Sequence, residues 1–213
     1  MEKDVFYWGC SPAATQIEGG AYEDGKGISV WDVHGDAHRI FNNQTPKTAC
    51  DSYHRWEDDV ALLKELGVKA YRFSLSWPRI VPNGYDKVVN QKGIEYYNNL
   101  INALLKEGIT PFVTIYHWDM PYEIYKRGGW LNPEISDWFA FYSKVVAENF
   151  ADRVKYFIPI NEPECVVGGL GGTDNDRKYS IKETLTMVHN VLLCYGKCCL
   201  ELRKYKGVEI DKI

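Results

Sequence analysis

The sequence predicts an α/β fold in which short strands alternate with amphipathic helices. Four apolar runs of strand length are each followed by a segment whose apolar residues recur at helical spacing. No low-complexity or Pro/Ser-rich linker divides the 213 residues, so we expect one domain over residues 1–213. Strands that alternate with helices build parallel sheets, and the candidate architectures are an open doubly wound sheet and a (β/α)8 barrel.

The first two strand-helix units occupy the amino-terminal half of the sequence. A short strand is predicted around Phe6–Cys10, followed by a long Gly- and Asp-rich stretch and a helix from about Asp51 to Leu66. The second strand is predicted over Ala70–Ser76. The second helix begins after Asn90, a residue type that caps helices well, and stops at Gly108.

Two further units follow. The third strand is predicted over Pro111–Tyr116, and Asn132 with Pro133 forms a cap and first-turn proline for the third helix. The fourth strand spans Tyr156–Ile160, and the fourth helix runs from Ile181 to about Tyr205. This last helix is predicted from its apolar spacing to carry one continuous face of Ile181, Leu185, Val188, Leu192 and Tyr195.

The second predicted strand favours the barrel over the open sheet. Its alternate residues Arg72, Ser74 and Ser76 are polar, which suits a barrel interior that opens on a polar site. Four units make about half of a (β/α)8 barrel, and a fifth strand is expected to begin at the carboxyl-terminal Asp-Lys-Ile. Because chemistry in such barrels sits at the carboxyl ends of the strands, the residues after each strand are the candidate site.

Composition excludes several classes of function. The 29 acidic and 25 basic residues give a net charge of -4 without a dense Lys/Arg block, which argues against a nucleic-acid partner. No apolar run has the length of a signal peptide or membrane span, so we expect a cytoplasmic protein without a membrane partner. The 6 cysteines lack paired CxxC spacing, so we expect reduced thiols and no metal site.

Asn161-Glu162-Pro163, at the end of the fourth strand, is the most informative tripeptide. Proline disfavours helical geometry at the residue before it, so we expect an extended Glu162 with a fixed side-chain direction. A carboxyl group so fixed serves as a general acid if an apolar setting raises its pKa. Asn161 can hydrogen-bond a sugar hydroxyl beside it. On the tripeptide alone, a salt-bridging Glu162 is an equal alternative.

The other strand ends supply hydrogen-bonding groups of the kind that read sugar hydroxyls. Gln16 follows the first strand, and His117 follows the third. Trp118, next in the chain, offers an apolar face on which a sugar ring stacks. A lone histidine is more often structural, but the position of His117 directly after a strand favours sugar binding.

Five segments together closely resemble glycoside hydrolase family 1. They are Ala14–Gly19, Gly25–Asp32, Tyr71–Arg79, Tyr116–Pro121 and Asn161–Pro163, in the family's order. The resemblance extends from the first predicted strand to the end of the chain. It implies the first four units of a (β/α)8 TIM barrel and a retaining β-glycosidase without an organic cofactor.

The resemblance also implies a role for each site residue. Glu162 takes the position of the acid/base, and Asn161 that of the residue that holds the sugar 2-hydroxyl. Arg72 resembles the arginine that sits against the nucleophile and keeps it ionised. The glycone-binding positions correspond to Gln16 and His117, with Trp118 beside them. Acidic residues near these segments are expected to anchor loops rather than to catalyse: Glu18, Asp51 and Asp119.

The partner carboxylate of Glu162 is missing from this sequence. Retaining hydrolysis needs two carboxyl groups, and the family's nucleophile is the Glu of a Thr-Glu-Asn-Gly-like motif on strand seven, which does not occur here. We therefore expect the chain alone to be inactive. The glycine-rich stretch 168–176 also replaces the longer loop usual in the family, which puts aglycone contacts inferred from that loop in doubt.

The expected substrates are small β-glycosides or oligosaccharides with terminal β-D-glucosyl residues. The alternatives are a 6-phospho-β-glycosidase, whose phosphate-reading residues would lie in the absent half, and a non-catalytic remnant or sugar-binding half barrel. A half barrel exposes strand edges and apolar surface, so the expected macromolecular partner is a carboxyl-terminal half or another copy of the chain.

Overall fold

The computed structural model describes residues 6–167 and 177–210 of the chain. Its centre is a parallel five-stranded sheet with the order β1-β2-β3-β4-β5. The strands are β1 (Gly9–Cys10), β2 (Ala70–Ser74), β3 (Thr110–Tyr116), β4 (Tyr156–Ile160) and β5 (Glu209–Ile210). A doubly wound sheet reverses its strand order at a switch point, whereas the described strands follow one another without reversal, as successive barrel units do.

Four long helices connect the strands: α3 (Ser52–Leu66), α5 (Gln91–Lys106), α7 (Ile135–Phe150) and α9 (Ile181–Leu202). Shorter helices lie between each strand and its long helix: α1 (Ala14–Ile17), α2 (Val30–Asp36), α4 (Trp77–Ile80), α6 (Tyr122–Lys126) and α8 (Pro163–Cys165). Short 3-10 turns span Phe41–Asn43 and Gly129–Leu131. The predicted four strand-helix units are confirmed, with ends shifted by a few residues. Within the described ranges, no helix has the length and apolarity needed to cross a membrane.

The core lies between the sheet and one face of each long helix. In α5 the predicted face is buried as its spacing indicated, with Tyr97, Ile101 and Leu104 all inaccessible to solvent. Trp77, directly after β2, stacks on Tyr142 of α7 with ring centroids 5.2 Å apart. Aromatic packing of this kind fixes the distance between the helices and the strands whose ends carry the candidate site.

The continuous apolar face predicted for α9 is present, but most of it faces away from the core. Ile181 and Leu192 are 81% and 61% exposed, and Leu185 is exposed as well. The buried side instead carries Met187, Val191, Cys194, Cys198 and Leu202. The helix has two apolar stripes, and α7 packs on the one that contains Val191, Cys194 and Cys198. The spacing rule finds apolar stripes but does not say which one meets a neighbour.

Two expectations at element ends also differ from the structure. Asn90 occupies the position before α5, but its side chain does not cap the helix. Its amide nitrogen donates instead to the carbonyl oxygens of Asp24 and Arg79, each at 2.9 Å, and so fastens a loop. The fifth strand pairs with β4 at Glu209–Ile210, before its expected start; residues 211–213 lie outside the described part of the chain.

Two helical glycines give a test of the packing of α5. A Cβ at Gly93 would lie 2.1 Å from the Arg79 carbonyl oxygen, whereas a Cβ at Gly196 of α9 would meet nothing within 4 Å. Gly93→Ala should lower the free energy of unfolding by about 1–3 kcal/mol through overpacking. Gly196→Ala should raise it by about 1 kcal/mol through helix propensity. Urea unfolding of both variants checks the pair, and equal effects of the two substitutions would contradict the packing described.

Candidate active site

The site begins where β3 and β4 end side by side. Tyr116 pairs with Ile160 in the ladder, and the Asn161 N–H donates to the Tyr116 carbonyl oxygen at 2.9 Å. This bond continues the ladder one residue beyond β4. The residues that follow the two strands therefore emerge at the same edge of the sheet.

Asn161 is held at three points. Besides its backbone N–H, its side-chain Oδ1 accepts from Arg72 Nη2 at 2.6 Å, and its carbonyl oxygen accepts from Trp118 Nε1 at 3.0 Å. A guanidinium group only donates, so the amide oxygen must face Arg72. The side-chain Nδ2 is then the donor that Asn161 offers to a ligand hydroxyl.

Arg72 crosses the interior face of three strands. It rises from β2, donates from Nε to Thr114 Oγ1 of β3 at 3.0 Å, and reaches Asn161 after β4. The guanidinium is thereby fixed in a half-buried position. Its predicted support of a nucleophile concerns a residue that the sequence does not contain, and it stays a prediction.

His117 is a neutral hydrogen-bonding group at neutral pH. Burial, together with the positive charge of Arg72, lowers the pKa of His117 from 6.5 to about 4. A neutral imidazole has one donor and one acceptor nitrogen, and both can engage sugar hydroxyls. This electrostatic state fits the predicted binding role.

Gln16 lies on α1, and a buried ion pair fixes the segment around it. Gln16 Oε1 accepts from the Ala13 N–H at 3.1 Å, at the start of the helix. Just beyond the helix, Glu18 accepts from Arg79 Nε at 2.8 Å, and Arg79 Nη2 donates to the Gly19 carbonyl oxygen at 2.9 Å. The loop after β1 is thus tied to the segment after β2.

A cleft of about 600 Å³ collects part of the predicted site. Gln16, His117 and Trp118 line it together with Trp31. The rest of its wall comes from Ala13, Thr15, Ile40, Gln44, Thr45, Pro46 and Ala49. Arg72, Asn161 and Glu162 lie at the same sheet edge but do not line this cleft.

Glu162 does not have the extended conformation predicted from Pro163. Its φ and ψ are 44° and 68°, in the left-handed region, and its side chain is exposed. The chain must pass from β4 into α8 within one residue, and Pro163 already occupies the first turn of that helix. The proline excludes right-handed helical geometry at Glu162, and the turn selects the left-handed alternative. The described residues do not provide the expected apolar surroundings.

Comparison with known proteins identifies the family. A sequence model of Glycosyl hydrolase family 1 matches residues 2–211. The chain belongs to glycosyl hydrolase family 1. The resemblance inferred from the strand-end motifs is thereby confirmed.

Relatives within this family include several β-glucosidases. β-Glucosidase A of Thermotoga maritima is 48% identical over 204 residues, covering 93% of this chain and 45% of the relative. Cytosolic β-glucosidase of Homo sapiens is 49% identical over 159 residues, covering 74% of this chain and 34% of the relative. A structure of β-glucosidase from Thermotoga maritima in complex with glucoimidazole superposes with a TM-score of 0.91 and 46% identity, covering 97% of this chain and 48% of that one.

The chain therefore spans about half the length of the Thermotoga maritima proteins it matches. Its five-stranded sheet corresponds to part of the family's (β/α)8 barrel, and the fold prediction is confirmed. The glycine-rich stretch 168–176, predicted to replace a longer family loop, lies outside the described residues. Within residues 6–167 and 177–210, no His/Cys/Asp/Glu cluster has the composition to hold a metal ion.

Sequence reasoning missed two contacts of this family 1 site. Trp31 Nε1 donates to the Trp118 carbonyl oxygen at 2.9 Å, across 87 positions of sequence. Thr114 is the inward residue of β3 that orients Arg72. Alternation along β3 was the available signal for Thr114. Nothing in the sequence pairs Trp31 with Trp118.

Asp119 is a buried acid beneath the site. Glu18 anchors its loop as expected, but neither carboxyl oxygen of Asp119 has a hydrogen-bond partner among the described residues. Burial, reinforced by the charge of Glu18, raises the pKa of Asp119 to about 8 against the opposing influence of Ser76 and Lys26. Asp119 therefore holds a proton at neutral pH, and its role as a loop anchor stays a prediction.

Protonation of Asp119 makes stability depend on pH. Between about pH 4 and pH 8 the folded chain keeps a proton that the unfolded chain has released, so this carboxyl lowers stability as the pH rises through that window. In Asp119→Asn this contribution disappears. Urea unfolding at about pH 5 and pH 8 should show a smaller loss of stability at the higher pH for the variant than for the wild-type chain. Asp58→Asn, at an exposed carboxylate, is the matched control and should keep the wild-type difference.

Proposed function

We propose that this chain supplies the proton-donating half of the active site of a retaining β-glycosidase, which releases terminal β-D-glucosyl residues from small glycosides or oligosaccharides. The triple fixation of Asn161 is the observation that carries the proposal, because it holds the residue before Glu162 at the sheet edge where His117 and Trp118 follow β3. The β-glucosidase relatives support the substrate class.

Glu162 is the proposed acid/base. In the first step its carboxyl proton passes to the glycosidic oxygen as the bond between that oxygen and the anomeric carbon breaks and the nucleophile's carboxylate bonds to the same carbon. In the second step the Glu162 carboxylate takes a proton from the water that attacks this carbon and releases the nucleophile's carboxylate. The nucleophile lies about 5–5.5 Å from the acid/base in retaining enzymes and must come from a carboxyl-terminal half. We therefore propose that the chain alone does not hydrolyse glycosides.

The remaining groups are proposed to bind and orient the sugar. Asn161 offers Nδ2 to the 2-hydroxyl, and the neutral His117 and the amide of Gln16 bind further hydroxyls of the glycone. Trp118 lines the same cleft as Gln16 and His117, and its ring is proposed to stack on the sugar. Arg72 is proposed to keep the nucleophile ionised once the second half is present. No cofactor is required for this chemistry.

We also propose a cytoplasmic location. The six cysteines carry thiols rather than disulfides. Burial raises the pKa of the Cys194 and Cys198 thiols, which keeps them protonated and unreactive. The relative from Homo sapiens is named a cytosolic β-glucosidase. Reduced, buried thiols fit a reducing compartment.

The role of Glu162 is tested in the completed protein, which we define as this chain together with a family 1 carboxyl-terminal half. That half comes from a continuing reading frame where one exists, or from β-glucosidase A of Thermotoga maritima. Glu162→Gln should lower kcat/KM by about 100-fold or more for glycosides with poor leaving groups and far less for activated aryl glycosides, because only the former need the proton.

A matched control lies two residues away. Glu164 is an exposed carboxylate on the same short helix α8, so Glu164→Gln changes the same charge without removing the proposed acid. It should leave both substrates within about twofold of the wild-type rate. An equal loss of kcat/KM on both types of substrate in Glu162→Gln would contradict the acid/base role.

The two edges of the half barrel are proposed to bind a carboxyl-terminal half or another copy of the chain. Ile181, Leu185 and Leu192 form the exposed stripe of α9 at one edge. Phe6 and Trp8, both 75% exposed, lie beside β1 at the other edge. Apolar surface of this kind marks association sites in folded proteins.

We expect the isolated chain to be oligomeric or poorly soluble. Leu185→Lys combined with Leu192→Lys places two charges on the exposed stripe of α9 and should increase the fraction of monomer. Sedimentation velocity at several concentrations measures this fraction. Substitution of Leu66, which is exposed on α3 away from this stripe, serves as the control. A sharp monomer peak for the unmodified chain, with a cooperative melt, would count against association.

A further inference from the structure

Two tryptophan indoles form a chain of hydrogen bonds that ends at the peptide before Glu162. Trp31 Nε1 donates to the Trp118 carbonyl oxygen at 2.9 Å. Trp118 Nε1 in turn donates to the Asn161 carbonyl oxygen at 3.0 Å. The Asn161 carbonyl belongs to the peptide group that leads directly into Glu162.

Backbone strain occurs at Trp118, which donates the second bond, and at Glu162, which follows its acceptor Asn161. Trp118 has φ of 76° and Glu162 has φ of 44°, and neither is glycine. Residues other than glycine, asparagine and aspartate rarely adopt this left-handed region, because Cβ crowds the following carbonyl. Such conformations persist where the surroundings hold them in place. Each indole N–H forms a directional hydrogen bond to a peptide carbonyl: Trp31 to that of Trp118, and Trp118 to that of Asn161, which leads into Glu162.

Trp31 stands on a segment that is itself clamped to the loop after β3. The Val30 N–H donates to the Met120 carbonyl oxygen at 3.0 Å, and the Tyr122 N–H donates to the Ile28 carbonyl oxygen at 2.8 Å. These two bonds flank the contact between Trp31 and Trp118. The first indole therefore rests on a fixed support rather than on a mobile side chain.

We propose that Trp31 is a positioning residue for Glu162, acting through Trp118. The proposal rests on the proposed acid/base role of Glu162. Trp31 fixes the peptide plane of Trp118, Trp118 fixes the peptide plane between Asn161 and Glu162, and that plane sets the direction in which the Glu162 carboxyl leaves the backbone. Proton donation depends on this direction, because the carboxyl must reach the glycosidic oxygen within hydrogen-bond distance.

Trp31→Phe tests the proposal, since it keeps an aromatic ring and removes the indole N–H donor together with part of the ring volume, a loss that Trp77→Phe shares. In the completed protein it should lower kcat/KM about 3- to 10-fold for glycosides with poor leaving groups, the effect of one lost neutral hydrogen bond, and less than about twofold for activated aryl glycosides. A merely structural role would lower both substrates together.

Trp77→Phe is the matched control. Trp77 Nε1 is buried and has no hydrogen-bond partner among the described residues, so the substitution removes an indole donor that holds nothing there. Its effect on kcat/KM should be equal for the two substrate types. The same leaving-group dependence in Trp77→Phe as in Trp31→Phe would overturn the proposal.

Nuclear magnetic resonance of the indole N–H groups supplies a readout independent of catalysis. In the completed protein, Trp31→Phe should speed hydrogen exchange at Trp118 Nε1, whose signal is assigned by its loss in Trp118→Phe. An unchanged hydrogen-exchange rate at Trp118 Nε1 in Trp31→Phe would show that Trp31 does not hold Trp118 in place, and would overturn the proposal. Should Trp31→Phe fail to fold, Trp118→Phe carries the test, because it breaks the second bond and must show the same leaving-group dependence.

The two proposals fail in different ways. If Glu162→Gln shows no leaving-group dependence, the acid/base role is wrong and the positioning role falls with it. If Glu162→Gln shows that dependence and Trp31→Phe lowers both substrates equally, the acid/base role stands and the positioning role is wrong.

Discussion

The register between β3 and β4 is the constraint on which the candidate site depends. Tyr116 opposite Ile160 brings the Asn161 N–H onto the Tyr116 carbonyl oxygen, and every other contact of Asn161 follows from that placement. Side chains alternate along a strand, so a slip of β4 by one residue would turn Asn161 away from Arg72. The buried helix faces behind the sheet make such a slip costly. Helix packing on the outer side of the sheet thus fixes the positions of the site residues on its inner side.

Strained backbone at Trp118 and Glu162 is the local cost of this arrangement. A left-handed residue that is not glycine costs about 1–2 kcal/mol, and the two residues lie on adjacent loops at the carboxyl edge of the sheet. The scaffold around them is regular and well packed, so it has the rigidity to hold them. Strain of this kind concentrates where side-chain direction matters more than local stability. Among the described non-glycine residues with positive φ, these two lie just after β3 and β4 and include the proposed proton donor.

Much of the fold and part of the site were predictable because they depend on local pattern. The strand β4 was predicted with its observed bounds, and the strand-end rule led to Glu162 and His117. What failed depends on tertiary context. Proline at 163 excludes one conformation of Glu162, but only the turn into α8 selects among the rest. The contact of Trp31 with Trp118 joins two loops that sequence spacing does not relate.

The charges beneath the site balance within this half of the barrel, whereas the surface above it is open. Glu18 pairs with Arg79, and Asp32 pairs with Lys26 at 2.8 Å, both out of solvent. Asp119, the remaining buried acid of this group, is neutral because burial raises its pKa. These three buried acids, Glu18, Asp32 and Asp119, therefore need no further counter-charge from outside the described residues. Glu162 is exposed above them, and an acid in that position gains an apolar setting only when another surface covers it.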